Sequence, residues 1–121
     1  MNFHLPAAIP ELPVTNLNKA VDYYKKCLGF SVDWQYEDGI CGISNGNLCL
    51  FLNKKEIEEA GKTTVWLSLE GKEQVDQLYR EWIEKGAEIF SSVETKPWGL
   101  YEFTITDPDK NKIRVYFDLN T

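Results

Sequence analysis

Apolar positions along the chain change period several times, and each change marks an element. Ala7 to Val14 is a short apolar stretch interrupted by Pro10 and Pro13. Proline has no amide donor, so this segment is expected to be an edge strand with an irregular end. Leu17, Ala20, Val21, Tyr24 and Leu28 then recur at helical spacing, with Asn18, Lys19, Asp22, Lys25 and Lys26 between them. Thr15 or Asn16 is the natural N-cap of that helix, and Gly29 its left-handed stop. Strands are predicted over Phe30 to Tyr36, Ile40 to Ser44 and Leu48 to Leu52, the last two joined by Asn45-Gly46, the strongest hairpin signal in the chain. A charged segment from Lys54 to Gly61, one or two helical turns at most, leads to the second half.

The second half repeats the order. It has a strand at Thr64 to Leu69 and a helix at Lys72 to Lys85 with Val75, Leu78, Tyr79, Trp82 and Ile83 on one face, stopped by Gly86. Strands follow at Ala87 to Ser91, Tyr101 to Thr106 and Lys112 to Asp118, with a turn at Asp107-Pro108-Asp109-Lys110-Asn111. The helical Ala20-Val21-Asp22 has its counterpart in Gln74-Val75-Asp76. Identity between the halves is weak, so the order of elements is what argues for a repeat. The expected fold is α+β: two βαβββ modules, about 7–53 and 63–119, joined by a linker at 54–62 within one domain spanning 1–121. A four-stranded sheet with one helix leaves its other face bare, and two such curled sheets enclose a cleft.

Composition narrows the function. The chain has 121 residues, 43% of them hydrophobic and 13% aromatic, and a formal net charge of −6. An acidic surface repels phosphate backbones and anionic lipid heads, so neither nucleic acid nor membrane is an expected partner. No apolar run is long enough to span a bilayer, and Met1 to Pro6 lacks the pattern of a signal peptide, so cytoplasm is the default expectation. Cys27, Cys41 and Cys49 are odd in number and irregularly spaced, which reads as buried, reduced thiols. No phosphate-binding glycine loop, nucleophile elbow or zinc spacing is present.

Two stretches resemble a known family. Leu12-Pro13-Val14-Thr15-Asn16-Leu17, Ala20-Val21, Tyr23-Tyr24 and Leu28-Gly29-Phe30 are similar to the opening of glyoxalase/bleomycin-resistance/extradiol-dioxygenase proteins, the vicinal oxygen chelate superfamily. Pro97-Trp98-Gly99-Leu100-Tyr101-Glu102-Phe103 with Asp107-Pro108-Asp109-Lys110-Asn111 is similar to the same superfamily's second half. Lys110 departs from the family's usual glycine, at a turn position that often needs positive φ. The resemblance implies paired modules forming a cupped, mostly antiparallel mixed sheet, and a homodimer with sites between subunits.

It also implies a divalent metal held by His, Gln or Glu on the first and last strands of each module. Carried onto this chain, those positions fall at Ile9, at Leu50 with Phe51 beside it, at Thr64 and at Arg114. None is a credible ligand, and the one histidine, His4, lies near the terminus. No metal, no cofactor and no catalytic residue is therefore expected. The metal-free bleomycin-resistance branch is the nearer resemblance: a binding protein that sequesters or senses a planar small molecule, cationic ones included. The candidate ligand-binding residues are Trp34, Tyr36, Phe51, Trp66, Trp98, Tyr101, Glu11 and Arg114. Trp34 and Tyr36 suit either a cleft wall or a dimer surface, and Trp82 reads as core. Tyr101 and Phe103 alternate with Glu102, so one set lines the cleft and the other packs under the helix; the sequence leaves both arrangements open. Glu102 is expected to be structural, paired with Arg114. The alternatives are a lyase or isomerase using an unorthodox metal or a carboxylate base (Glu11 or Glu102), and a dimeric interaction module with no small ligand.

Overall fold

Local rules set the boundaries of the elements. In the computed structural model, which describes residues 2–121, the first strand ends at Val14 and Asn16 caps the first helix. Its backbone is extended and its side chain accepts a hydrogen bond from the Lys19 amide at 3.0 Å. Gly29 stops that helix in the left-handed conformation at φ 77°. The elements are β1 (Glu11–Val14), α1 (Leu17–Leu28), β2 (Ser31–Tyr36), β3 (Ile40–Asn45), β4 (Leu48–Lys54), β5 (Thr64–Ser68), α2 (Lys72–Glu84), β6 (Glu88–Thr95), β7 (Leu100–Thr106) and β8 (Lys112–Asp118).

They form two four-stranded sheets, ordered β1-β4-β3-β2 and β5-β8-β7-β6. The pairs β1–β4 and β5–β8 are parallel and the rest antiparallel. The βαβββ repeat expected from the sequence is therefore present, and the proline-bearing β1 is an edge strand. Several boundaries differ. Residues 7–10 lie outside β1, and β6 runs to Thr95, well beyond Ser91. Residues 55–61 make turns rather than helix, because the linker is pulled onto the modules: the Lys55 amide donates to Val14 O and the Gly61 amide to Pro13 O.

Each sheet buries its helix-facing side. Leu12, Leu52, Cys41, Ile43 and Leu50 pack under α1, and Val65, Ile113, Val115, Phe103 and Ile105 under α2, with Tyr24, Val75 and Trp82 as the helices' contribution. Burying such side chains contributes about 1.5–3 kcal/mol each. The thiols are less uniform than expected. Cys41 is buried and Cys27 partly so, but Cys49 is exposed, since alternation along β4 turns it away from the core with Phe51.

The modules are joined by polar contacts rather than by strand pairing. Asp107, fully buried, accepts from Tyr24 Oη at 2.9 Å, from the Asp109 and Asn111 amides at 2.8 and 3.0 Å and from Asn111 Nδ2 at 3.0 Å. Asn111 Nδ2 also donates to Pro13 O at 2.9 Å, while Thr15 donates twice to Asp109 Oδ1. Burial raises the Asp107 carboxyl above its ordinary range, although these donors pull the other way; burial and Asp107 together hold the Tyr24 hydroxyl well above its own. The turn that looked like a family signature is thus the clamp between modules.

Candidate functional site

The clamp occupies the helix side of the sheets and leaves their other faces open. On the first sheet, register places Glu11 beside Phe51, Phe51 beside Gly42 and Gly42 beside Trp34 in one row. The row depends on a bulge. Pairing shifts between Val32 and Trp34, so Val32 turns toward the core-facing Ile43 while Trp34 turns to the open face. Trp34 then lies flat across Gly42, where an added Cβ would stand 2.2 Å from the indole Nε1. It meets Phe51 edge-on, with centroids 5.1 Å apart. Trp34 is 42% exposed and Tyr36, further along the same face, 66%. Glu11 accepts from Asn53 Nδ2 at 3.2 Å at the outer end of the row.

The equivalent row of the second sheet holds Trp66, Arg114, Thr104 and Ser91. Arg114 Nε donates to the buried Thr104 Oγ1 at 2.9 Å, and its guanidinium carbon stands 4.8 Å from the Trp66 ring centroid. Trp66 is 49% exposed and sits edge-on to Tyr116 at 5.8 Å. Glu102 lies on this face too, 2% exposed, with Oε1 3.9 Å from Arg114 Nε and Oε2 buried without a partner among the described residues. That ion pair is at the outer limit of contact. The arginine's terminal N–H groups make no hydrogen bond to described residues.

The open question about β7 is settled by the same register. Glu102 and Thr104 take the open face; Tyr101 and Phe103 pack against α2. Tyr101 donates a hydrogen bond to Asp76 and lies under Lys72, and that bond, with burial, pushes its hydroxyl up to about 12. Tyr101 therefore leaves the set of candidate ligand contacts. Trp98, 59% exposed, stands in the β6–β7 hairpin, where Gly99 at φ 92° turns the chain, and no ring packs on it among the described residues.

The metal-ligand positions also need correction. Ile9 precedes β1, and Leu50 is fully buried on the core side opposite Ile43. The central open-face pairs on the first and last strands are Glu11–Phe51 and Trp66–Arg114, with Thr64–Lys112 beside the latter. One carboxylate, two aromatic rings and a guanidinium do not fit a divalent cation. Among the described residues no cluster of three His, Cys, Asp or Glu could hold one.

A cavity of about 570 Å³ opens on the helix side, between the β3–β4 hairpin and the edge of β5 with the start of α2, and reaches the open face at Trp66. Phe30, Asn45 and Leu48 line one wall, Gln74 and Leu78 the other, and Trp66 the rim. Sequence reasoning found only Trp66 here, because a cavity between modules has no signal within either repeat.

Comparison with known proteins agrees with this geometry. Among solved structures the fold is similar to a glyoxalase/bleomycin resistance protein/dioxygenase from Nocardioides, at 17% identity over 98% of this chain and 87% of that one, with TM-score 0.80. It is similar to the bleomycin-binding protein of the bleomycin producer Streptomyces verticillus in complex with copper(II)-bleomycin, at 21% identity, 93% and 96% coverage and TM-score 0.78. A lactoylglutathione lyase from Agrobacterium tumefaciens matches at 16% identity, 94% and 95% coverage and TM-score 0.73. No curated protein matches in sequence. At these identities the likeness establishes the fold. The family model for the Glyoxalase/Bleomycin resistance protein/Dioxygenase superfamily matches residues 6–115, and with the paired βαβββ modules in place the chain belongs to that superfamily.

Proposed function

We propose that this protein binds a planar small molecule without a metal, as a homodimer in which the open face of one module is closed by the other module of a second copy. One observation carries the reading: the strand positions that would surround a metal hold Phe51, Trp66 and Arg114, with Glu11 the one carboxylate. Aromatic faces stack planar ligands at about 0.5–1.5 kcal/mol per ring pair beyond area burial. The homodimer is supported by charge as well as by exposed rings. The first module's open face carries Glu11 and Asp33 and the second's carries Arg114, so the two kinds of face are complementary. The cationic ligand favoured by net charge alone fits the first module's face; Arg114 asks for an acceptor group at the other end.

Glu102 is the residue that would favour a carboxylate-base enzyme, because one of its oxygens is unpartnered. Its 2% exposure keeps it from a substrate, and the binding reading is preferred. The test is a titration calorimetry screen of planar aromatic compounds, bleomycin among them, on chelator-treated protein. Saturable binding is expected, with Trp66→Ala weakening it about tenfold or more. Binding that disappears with chelation, or a monomer by sedimentation under ligand-bound conditions, defeats the proposal.

A further inference from the structure

Three lysines that make no ion pair among the described residues share a pocket at one end of the second module's open face, with Glu88 in the same row across Thr106. The linker comes down onto the second module at Gly61, whose φ is 75° and where an added Cβ would stand 2.1 Å from Asp109 O. Lys62 follows at φ 70°, and Lys110, in the Asp107–Asn111 turn that Gly61 touches, has φ 73°. Both are left-handed positions where glycine is less costly. Lys112 projects from β8 on the same side as Arg114, in register with Thr64 and Thr106. These residues and Phe90 line a pocket of about 380 Å³. Lys112 Nζ lies 3.9 Å from the Phe90 ring centroid.

Lys62, Lys110 and Lys112 are among the lysines that form no ion pair with described residues, and these three converge on one pocket. In a chain of net charge −6 this is a local concentration of positive charge held partly by strained backbone. Solubility gives no reason for it; a bound anion does. Ammonium groups act as point charges without the planar fork that matches a carboxylate, and three of them suit a group with several acceptor oxygens and nearly two negative charges. Thr106 Oγ1 already donates to Asp107 O, which leaves the Thr64 hydroxyl as a neutral donor. The Phe90 ring, 56% exposed, supplies an apolar flank.

We propose that the Lys62–Lys110–Lys112 pocket binds the phosphate group of a phosphate monoester, with the organic part leaning on Phe90. The pocket is built from one chain. It rests on the proposed ligand-binding reading only for the direction of the organic part, along the face toward Arg114 and Trp66.

The experiment is a titration of the full chain, at constant ionic strength, with inorganic phosphate, phenyl phosphate and uncharged phenol, followed by amide chemical shifts. Saturable shifts at Thr64, Lys110 and Lys112 are expected with both phosphates, tighter for phenyl phosphate, and none there with phenol. Lys110→Gly is the decisive variant because it removes the charge and relieves the backbone together. It should raise the melting temperature while weakening phosphate binding about tenfold, and Lys112→Gln should weaken it similarly with the fold intact. Trp66→Ala should leave phosphate affinity unchanged, so loss of planar-ligand binding and loss of phosphate binding are read separately. Phosphate shifts that do not saturate, or lysine variants that change only the monomer–dimer equilibrium, overturn the proposal; the latter result would assign the lysines to a partner chain's carboxylates.

Discussion

The seam between the modules and the open faces of the sheets use polar groups in opposite ways. At the seam, buried donors and acceptors are paired: Asp107 meets four donors, Asn111 bridges to Pro13, and Tyr23 Oη both donates to Thr106 O at 2.8 Å and accepts from the Glu88 amide at 3.0 Å. On the open faces, rings stand exposed and Arg114 commits only its Nε to a hydrogen bond within the chain. A seam with its hydrogen bonds made holds geometry. A face with unused capacity is where another molecule adds something. The difference predicts that seam mutations act on stability and face mutations on binding.

The largest effect is expected at Asp107. Asp107→Ala leaves the Tyr24 hydroxyl, the Asn111 side chain and two amides without their acceptor in a dry site. Each stranded buried group costs about 1–3 kcal/mol, and because they share one site the total is expected near 3–5 kcal/mol rather than the full sum. Denaturant unfolding measures it. A loss under 1 kcal/mol would mean that the clamp is not what unites the modules, and the contrast with the open faces would fail.

The two regions also differ in how far the sequence revealed them. The seam's residues were visible as a motif, but nothing local says that a turn near the C-terminus accepts hydrogen bonds from the helix of the first module; that is a property of chain separation. The faces were legible through alternation wherever a strand is regular. Leu12, Leu50 and Leu52 against Glu11, Phe51 and Asn53 follow period two and sort correctly once β1 is known to begin at Glu11. Alternation failed at β2, where the bulge puts Val32 and Trp34 on opposite faces although they share parity. It stalled at β7, where aromatic Tyr101 and Phe103 were as plausible in an aromatic cleft as under a helix. Register decides that case: Phe103 pairs with the core residue Val115, while Glu102 and Thr104 pair with Tyr116 and Arg114 on the other side, although both polar side chains are themselves buried.

Gly42 tests whether the first module's face is a built surface or only an uncovered one. Gly42→Ala introduces a Cβ into the Trp34 indole, and the ring must lift. A destabilisation of about 1–3 kcal/mol is expected, with red-shifted tryptophan emission as the ring becomes more solvated. The double variant with Trp34→Ala should recover most of that loss, because the clash is with one side chain. If the two changes simply add, Trp34 is not seated on Gly42, and this face is no more organised than ordinary surface.

The smallest effect belongs to Tyr23, at the boundary of seam and solvent. Burial is the main reason its hydroxyl is raised to about 12. The sign follows from linkage. Below pH 10 the phenol is protonated in both states and its bonds to Thr106 O and the Glu88 amide contribute fully. Between pH 10 and about 12 the unfolded chain loses this proton first, so stability falls as pH rises. Because the side chain is partly exposed, solvent screening limits the effect to about 1 kcal/mol. Comparison with Tyr23→Phe isolates it from the lysines that titrate in the same range: the wild-type advantage should shrink across that window. An advantage that holds steady or grows would place Tyr23 with the open faces, as a group the fold does not depend on, and would move the edge of the seam inward to Tyr24.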